Sequence, residues 1–226
     1  MQTLFRRVFL PVVLVLMLAP VGSAQEAAEA EVIVDKSRLL VEEMMLSSDK
    51  QVPEELIRQA AGLALMPGML KGGFFLGANY GKGVVLQRTF EGWTGPAFIG
   101  IGGGSLGIQF GGQSIDLILV IVGQDAMNAF MRNEFKLGAD AALAAGPVGA
   151  RISTATDIAF KGGIYSYSRA SGLFAGVSVE GGVIFSHEDL NRAYYTDTDS
   201  TAVILAGKVP PKESGQRLIE TLRRFR

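Results

Sequence analysis

Residues Tyr165–Gly181 read YSYSRASGLFAGVSVEG, and this stretch is the strongest local indication of how the chain folds. It contains four serines, three glycines and two tyrosines, and from Leu173 onward small residues alternate with apolar ones. Alternation with a period of two is typical of a strand, and glycine lets another backbone approach closely. The stretch has no Cys, no His and no nucleophile paired with a base. It therefore predicts a closely packed strand that acts as scaffold or binding surface.

A glycine-rich zone surrounds that stretch. Between Gly72 and Gly182 lie 24 of the chain's 29 glycines, a density that disfavours helices and favours short strands joined by turns. Ile115–Val122 reads IDLILVIV and is apolar on both faces apart from Asp116, which predicts a central strand covered on both sides. The predicted strands are Gly73–Ala78, Gly83–Thr89, Ala97–Ile101, Leu106–Phe110, Ile115–Val122, Lys136–Ala145, Arg151–Phe160, Ile164–Arg169 and Leu173–Phe185.

Helical patterns flank the glycine-rich zone on both sides. Ala27–Met66 is predicted to hold two helices, the second beginning at Pro53 and ending before Pro67-Gly68. The other predicted helices are Gln124–Met131, Glu188–Tyr195, Ser200–Ala206 and Glu213–Phe225. The expected fold class is α+β, with a glycine-rich, mainly antiparallel, curved or barrel-like sheet flanked by N- and C-terminal helices.

Residues 1–24 have the pattern of a cleaved signal peptide. Arg6 and Arg7 form a basic start, Val8–Ala19 is an apolar run shorter than a membrane-spanning helix requires, and Gly22-Ser23-Ala24 supplies small residues for cleavage. We expect residues 25–226 to form a single domain that is periplasmic or secreted. The absence of cysteine fits a bacterial periplasm, where disulfides are permitted but not required.

The charge balance gives no indication of a nucleic-acid partner. Removing Arg6 and Arg7 from the 21 basic side chains leaves 19 against 22 acidic ones, a net charge of −3. A domain that binds nucleic acid usually carries a strong excess of Lys and Arg on one face. We therefore expect no nucleic-acid binding.

Motifs that would indicate catalysis, a metal or a cofactor are weak in this chain. Gly102, Gly104 and Gly107 have the GxGxxG spacing, but strand-like residues follow where a dinucleotide site needs a helix to begin. His187 is the only histidine and has no cysteine to complete a zinc site. We expect no cofactor and no enzyme activity. The carboxylates that would serve an enzyme acting on a lipid or glycan are Asp116, Asp140, Asp157 and Glu180.

Four blocks of the sequence, in the right order, resemble the SYLF family of lipid-binding domains. They are Ala60–Lys71 leading into Gly72-Gly73-Phe74, Gly81–Val85 followed by Trp93–Pro96, Gly138–Asp140 with Ala145–Gly149, and Tyr165–Ser178. One departure is Ala150, which stands before Arg151 where the family has Arg directly after its Gly-Pro-x-Gly. The resemblance covers essentially the whole chain after the predicted signal peptide.

The resemblance implies phospholipid binding through the N-terminal helix and the basic residues near it. Eukaryotic members bind phosphoinositides, and some bind actin; an exported bacterial protein meets neither in the periplasm, so we expect no actin partner. The lipid-binding candidates that follow from the resemblance are Lys36, Arg38, Lys50, Arg58 and Lys71. From the residue patterns we add Trp93, Arg169 and Phe174 as contacts, and we assign Tyr165 and Val177 to the wall behind them.

The function expected from the sequence is that of a non-enzymatic exported protein that binds phospholipid or a membrane surface in the bacterial envelope. The alternative is an envelope scaffold that binds a protein partner through sheet edges and the C-terminal helix. Both terminal helices leave a further choice open. Each either docks its apolar face on the sheet or lies on anionic head groups.

Overall fold

The computed structural model describes residues 21–46, 52–74, 76–106, 112–146, 163–170, 173–176, 179–196 and 198–224. The predicted strand Arg151–Phe160 lies outside these residues, as does most of the predicted strand Leu106–Phe110. The predicted helices within 124–131, 188–195, 200–206 and 213–225 are confirmed. The helices are α1 (Val21–Leu46), α2 (Glu54–Arg58), α3 (Gln124–Ala129), α4 (Glu188–Tyr195), α5 (Thr201–Leu205) and α6 (Glu213–Leu222).

Within the described residues, nine strands form one mostly antiparallel sheet. They are β1 (Ala60–Phe74), β2 (Leu76–Thr89), β3 (Gly92–Leu106), β4 (Gly112–Val122), β5 (Glu134–Lys136), β6 (Leu143–Ala145), β7 (Gly163–Ala170), β8 (Leu173–Gly176) and β9 (Val183–Ser186). Their order is β5-β9-β3-β2-β1-β4-β7-β6, with β8 paired to β7. Only β6 and β7 run parallel among the described pairs. The predicted α+β class is confirmed.

The sheet curls because its two edge strands are neighbours along the chain. β5 and β6 stand at opposite ends of the strand order, yet they are joined by residues 137–142. Eight strands laid flat would separate these edges by roughly 34 Å, whereas the connection reaches about 25 Å when fully extended. The connection is in fact a tight turn, with a bridge between Leu137 and Ala141. The edges therefore approach each other, and the predicted barrel-like curvature is confirmed.

The predicted central strand is also confirmed. β4 lies between β1 and β7. Leu117, Ile118, Leu119, Val120 and Ile121 are all fully buried although they alternate between the two faces of the sheet. Both faces of β4 are therefore covered.

The second N-terminal helix is predicted wrongly. Helix α2 ends at Arg58, and the residues that follow form β1, a strand paired with β2 on one side and β4 on the other. Its Ala, Leu and Met residues favour a helix locally, but pairing on both edges outweighs that preference. Pro67-Gly68 does not end the element, because both registers shift there and Gly68 adopts φ +69° in the resulting irregularity.

Several predicted strands have different boundaries. Lys136–Ala145 divides into β5 and β6, and Leu173–Phe185 divides into β8 and β9 around a turn at Glu180-Gly181. Conversely, β2 is one strand that includes all of Gly83–Thr89. Alternating small and apolar residues continue through these turns, so periodicity alone does not place them.

Both ends of the described chain dock on the sheet. Helix α1 contacts α4, α6, β1 and β2, and α6 contacts α1 and β3. The faces turned inward are apolar: Val34 and Val41 of α1 and Leu218 and Leu222 of α6 are fully buried. Within the described ranges, no helix has the length and apolar character that crossing a membrane would require.

Candidate functional site

A groove lies between the N-terminal half of α1 and the hairpin formed by β1 and β2. It has a volume of about 710 Å³ and opens to solvent. The irregularity at Pro67-Gly68 bends β1, so the outer part of the hairpin forms one wall. The lining residues are Gln25, Ala28, Glu29, Val32, Ile33 and Lys36 from α1, with Pro67, Gly68, Leu70, Tyr80, Gly81 and Lys82 from the strands.

Exposed apolar side chains concentrate in this groove. Val32 is 50% exposed, Leu70 61% and Tyr80 49%, and all three line it. Leu70 and Tyr80 are cross-strand partners, so their side chains stand together on one face of the hairpin. Single exposed apolar residues are ordinary, but a group that lines one concave surface indicates a binding site.

Two lysines reach the groove, and only one is neutralised. The Nζ of Lys82 lies 2.6 Å from Oε1 of Glu29, which joins β2 to α1. Lys36 is exposed and has no ion pair among the described residues. The groove therefore combines an apolar lining with one uncompensated positive charge on the part of the chain that the structure describes.

Ion pairs also fix the C-terminal half of α1. Arg169 of β7 contacts Glu43 of α1, and its guanidinium lies 2.8 Å from the Oδ2 of Asp116 on β4. The other carboxylate oxygen of Asp116 accepts the N–H of Gly68 at 2.9 Å. The cluster ties α1, β1, β4 and β7 together. Arg169, a predicted lipid contact, is thus a tether between α1 and the sheet.

Two weaker ion pairs join α1 to the C-terminal region. Lys212 lies 3.7 Å from Glu31, and Arg217 lies 3.6 Å from Asp35. Both are solvent-exposed, so each adds little to stability. In all these tethers α1 supplies the carboxylate and the rest of the molecule supplies the cation.

One of the basic residues predicted from the sequence to bind lipid lines the groove. This residue is Lys36. Arg38 is half-buried and pairs with Glu42 at 2.6 Å, and Arg58 pairs with Glu55 at 2.9 Å in α2. Lys50 lies outside the described residues, as do the side chains of Lys71 and Phe174, and Val177. Tyr165 is half-buried and packs against the core.

Trp93 is placed in the core, away from the groove. It is 6% exposed, and the guanidinium of its cross-strand partner Arg88 lies 4.6 Å from the centre of the indole ring. Burial lowers the pKa of Arg88, but a guanidinium remains charged at neutral pH. The pair forms a cation–π contact in which the Trp93 ring is buried and not accessible to a ligand.

The described carboxylate candidates for catalysis serve local structure. Asp116 holds Gly68 and Arg169 as described above. Asp140 accepts the N–H of Lys136 at 2.6 Å within the β5–β6 turn. Glu180 lies exposed in another turn, and Asp157 lies outside the described residues. Within the described residues, no group of three or more His, Cys, Asp or Glu side chains could hold a metal.

The GxGxxG glycines are also placed by the fold. Gly102 and Gly104 lie within β3, opposite Tyr80 and Ala78 of β2, where no helix begins. Gly107 lies outside the described residues. The site that a dinucleotide needs at a helix N-terminus is therefore absent at Gly102 and Gly104.

Sequence reasoning missed the apolar half of the groove. Val32, Leu70 and Tyr80 were not predicted as site residues, because an apolar residue on a helix or strand is normally assigned to the core. Lys82 was missed as well. One signal was available: Lys82 stands between two glycines in the block Gly81-Lys82-Gly83, which the family resemblance had already singled out.

Comparisons with known proteins agree on one family. A family model described as Ysc84, Las17-binding protein actin regulator, matches residues 102–225. LAS seventeen-binding protein 3 of Saccharomyces cerevisiae is 33% identical over 183 residues, covering 79% of this chain and 39% of that protein. Human SH3 domain-containing YSC84-like protein 1 is 32% identical over 179 residues, covering 78% of this chain and 52% of that protein. The chain thus spans about two fifths to one half of these relatives' length.

Proposed function

This chain belongs to the Ysc84 (SYLF) family, and from that premise we propose that it is a non-enzymatic protein that binds phospholipid or a membrane surface through the α1–hairpin groove. The observation that carries the proposal is the clustering of exposed apolar side chains beside an uncompensated lysine. Phospholipids present an apolar chain next to a polar head, and the groove matches both parts.

Lipid could be contacted either through the exposed groove or by α1 after it detaches from the sheet. The free-energy cost favours the groove. The buried face of α1 includes Ala30, Val34, Leu40, Val41 and Met44. Exposing one large buried apolar side chain costs about 1.5–3 kcal/mol. Exposing several of them would therefore cost on the order of 5–10 kcal/mol. Val32, Leu70 and Tyr80 are already exposed and need no such rearrangement. Lipid contact through them is therefore the less costly arrangement.

We place this activity in the bacterial envelope, after removal of residues 1–24. The support is the sequence pattern of Arg6-Arg7, Val8–Ala19 and Gly22–Ala24. N-terminal sequencing of the protein recovered from the periplasmic fraction tests this proposal. A start at Gln25 supports it, and recovery of the intact chain in the cytoplasm alone contradicts it.

Vesicle sedimentation tests the binding proposal. The purified chain is spun with vesicles of phosphatidylglycerol and phosphatidylcholine, beside a variant with both Val32→Asp and Leu70→Asp. Because a carboxylate strongly resists transfer from water to an apolar surface, we expect the double variant to sediment about tenfold less. Phe90→Asp is the matched control, because Phe90 is fully exposed at the β2–β3 turn and does not line the groove.

One result would reject lipid binding, and another would reject the groove as its site. One is a chain that sediments with neither kind of vesicle and carries no lipid detectable by mass spectrometry. The other is equal sedimentation of the double variant and the unmodified chain, which would move the contact away from the groove.

A protein partner is the second candidate function. It is favoured by the family description and by the yeast relative, both of which name binding to Las17. For this chain the partner would be an envelope protein.

Deleting α6 cannot test this second function, because Leu218 and Leu222 are fully buried and their loss would disrupt the core. The exposed residues Arg223 and Arg224 offer a better test. Their joint change to Glu should abolish capture of the partner and leave vesicle sedimentation unchanged.

A further inference from the structure

We propose that the α1–hairpin groove holds a single hydrocarbon chain that carries one negative charge, with the charge at Lys36 and the chain along Val32, Leu70 and Tyr80. This inference rests on the proposed function and narrows it from phospholipid or membrane to one class of ligand. The class is a singly charged, single-chain anionic amphiphile, which a fatty acid or a lysophospholipid would supply.

The charges of the groove set the number of charges on the ligand. Lys82 is neutralised by Glu29 at 2.6 Å, which leaves Lys36 as the uncompensated cation among the described lining residues. Glu43 and Asp116 lie beyond it with Arg169 between them, so that cluster carries one excess negative charge. A second negative charge on the ligand would find no further uncompensated cation among the described lining residues. The site therefore favours a monoanion over a polyanionic head group.

The length of the groove suits one extended chain. Its volume of about 710 Å³ falls within the range of roughly 300–1,000 Å³ that is typical of sites for one small ligand. Along α1 it extends from Gln25 to Lys36, about 16 Å at 1.5 Å per residue. A concave surface of this length fits one extended chain better than it fits a flat bilayer.

The Glu29–Lys82 pair limits how far the chain can extend. The pair lines the groove, with Glu29 about two helical turns from Lys36 along α1, and Val32 and Ile33 lie between these two residues. A hydrocarbon chain gains affinity while it covers apolar residues and stops gaining where it meets a charged pair. Affinity should therefore rise with chain length and then level off.

Calorimetric titration of the purified chain with soluble monomers tests the inference. The probes are octanoate, decanoate and dodecanoate below their micelle concentrations, with decanol and decyl phosphate for comparison. We expect affinity to rise about twofold to fourfold per added methylene until it levels off. At alkaline pH decyl phosphate carries nearly two negative charges and should bind more weakly than decanoate. Lysophosphatidylglycerol, a monoanion with a phosphodiester head, distinguishes the two ligand sources.

Variants separate the charge from the apolar wall. Lys36→Gln should weaken decanoate binding about threefold to tenfold and leave decanol unchanged, and Lys36→Arg should restore it. Tyr80→Ser should weaken both ligands, and Leu70→Ser provides the same test if Tyr80→Ser fails to fold. Lys136→Gln is the control, because Lys136 is an exposed lysine of β5 outside the groove.

The outcomes distinguish this inference from the proposed function. A chain that sediments with vesicles but binds neither decanoate nor lysophosphatidylglycerol overturns the inference and leaves the proposed function standing. Absence of both kinds of binding overturns both. Equal affinity of Lys36→Gln and the unmodified chain for decanoate, or tighter binding of decyl phosphate than of decanoate, also overturns the inference.

Discussion

The two ends of β2 each combine an aromatic ring with basic side chains, but only one end is open. At one end Tyr80 is 49% exposed next to Lys82 and the groove. Towards the other end Arg88 covers Trp93, which is 6% exposed. The residue types are similar, so the difference lies in packing. The presence of an aromatic ring and a cation does not locate a binding surface, whereas their exposure in the fold does.

The openness of the Tyr80 end follows from what stands beside it. Tyr80 pairs across the sheet with Leu70. Helix α1 approaches the hairpin but leaves both side chains partly exposed. At the other end Thr94, next to Trp93, donates a hydrogen bond to the carbonyl of Leu205 in α5. A helix therefore seals one end of β2 and leaves a groove at the other.

Replacing the two aromatic residues gives the largest expected contrast. Trp93→Ala should lower the free energy of unfolding by about 3–5 kcal/mol, because it removes a large buried side chain and leaves a cavity. Tyr80→Ala should lower it by less than about 1 kcal/mol, because half of that ring is already in water. Urea unfolding of the two variants measures the difference. Equal losses would mean that the two ends are packed alike.

The middle of β2 should tolerate no added side chain. A Cβ at Gly83 would lie 2.2 Å from the carbonyl oxygen of Leu65 on β1, and backbone of a central strand cannot move away cheaply. We expect Gly83→Ala to lower the free energy of unfolding by about 1–3 kcal/mol. Gly102→Ala is the control, because the nearest atom to its added Cβ is 3.7 Å away, an ordinary contact. A loss at Gly102 as large as that at Gly83 would contradict close strand packing as the cause.

The same contrast explains which parts of the fold were predictable from the sequence. Ile115–Val122 was predicted correctly as a covered strand, because a strand that is apolar on both faces must have both faces buried. Ala60–Met66 was assigned to a helix, because Ala, Leu and Met favour helices and the pairing that overrides them is non-local. Local patterns therefore predicted the strand whose burial is uniform and failed where tertiary pairing decides.

The candidate site was predictable only in part for a related reason. Lys36 was found because a basic residue on a helix is recognisable in the sequence. Val32, Leu70 and Tyr80 were missed, because nothing local distinguishes an apolar side chain that stays exposed from one that is buried. Their exposure depends on how α1 packs against the hairpin, and residues far away along the chain, such as Glu43 and Arg169, take part in that packing.

Loosening that tether should have a moderate effect on stability. Arg169→Gln leaves Asp116 and Glu43 without their shared cation, and Asp116 is largely buried. We expect a loss of about 1–2 kcal/mol, measured by urea unfolding, and a coupling of about 0.5–1 kcal/mol with Glu43→Gln in a double-mutant cycle. Arg217→Gln, which loses the exposed 3.6 Å pair with Asp35, should change stability by less than about 0.5 kcal/mol. Zero coupling between Arg169 and Glu43 would show that α1 is positioned by apolar packing alone.

The smallest expected effect concerns pH and is confined to the open end of β2. Burial lowers the pKa of His187 below its ordinary value of 6.5, and Lys82 lowers it further. The carboxylates of Asp189, Glu29 and Glu26 oppose this shift without cancelling it. The unfolded chain therefore takes up the proton first as the pH falls. The stability contributed by neutral His187 is fully present above the unfolded pKa and is lost as the pH falls from about 6.5 through the lower folded value.

His187→Gln should remove this component of the stability. Urea unfolding of the variant between neutral pH and about pH 5 should therefore show a shallower pH dependence than that of the unmodified chain. Identical pH dependence would mean that burial and Lys82 do not lower the pKa of His187 in the folded chain. The Trp93 end supplies the internal comparison, because Trp93→Ala removes no titrating group and should lower stability equally across this range.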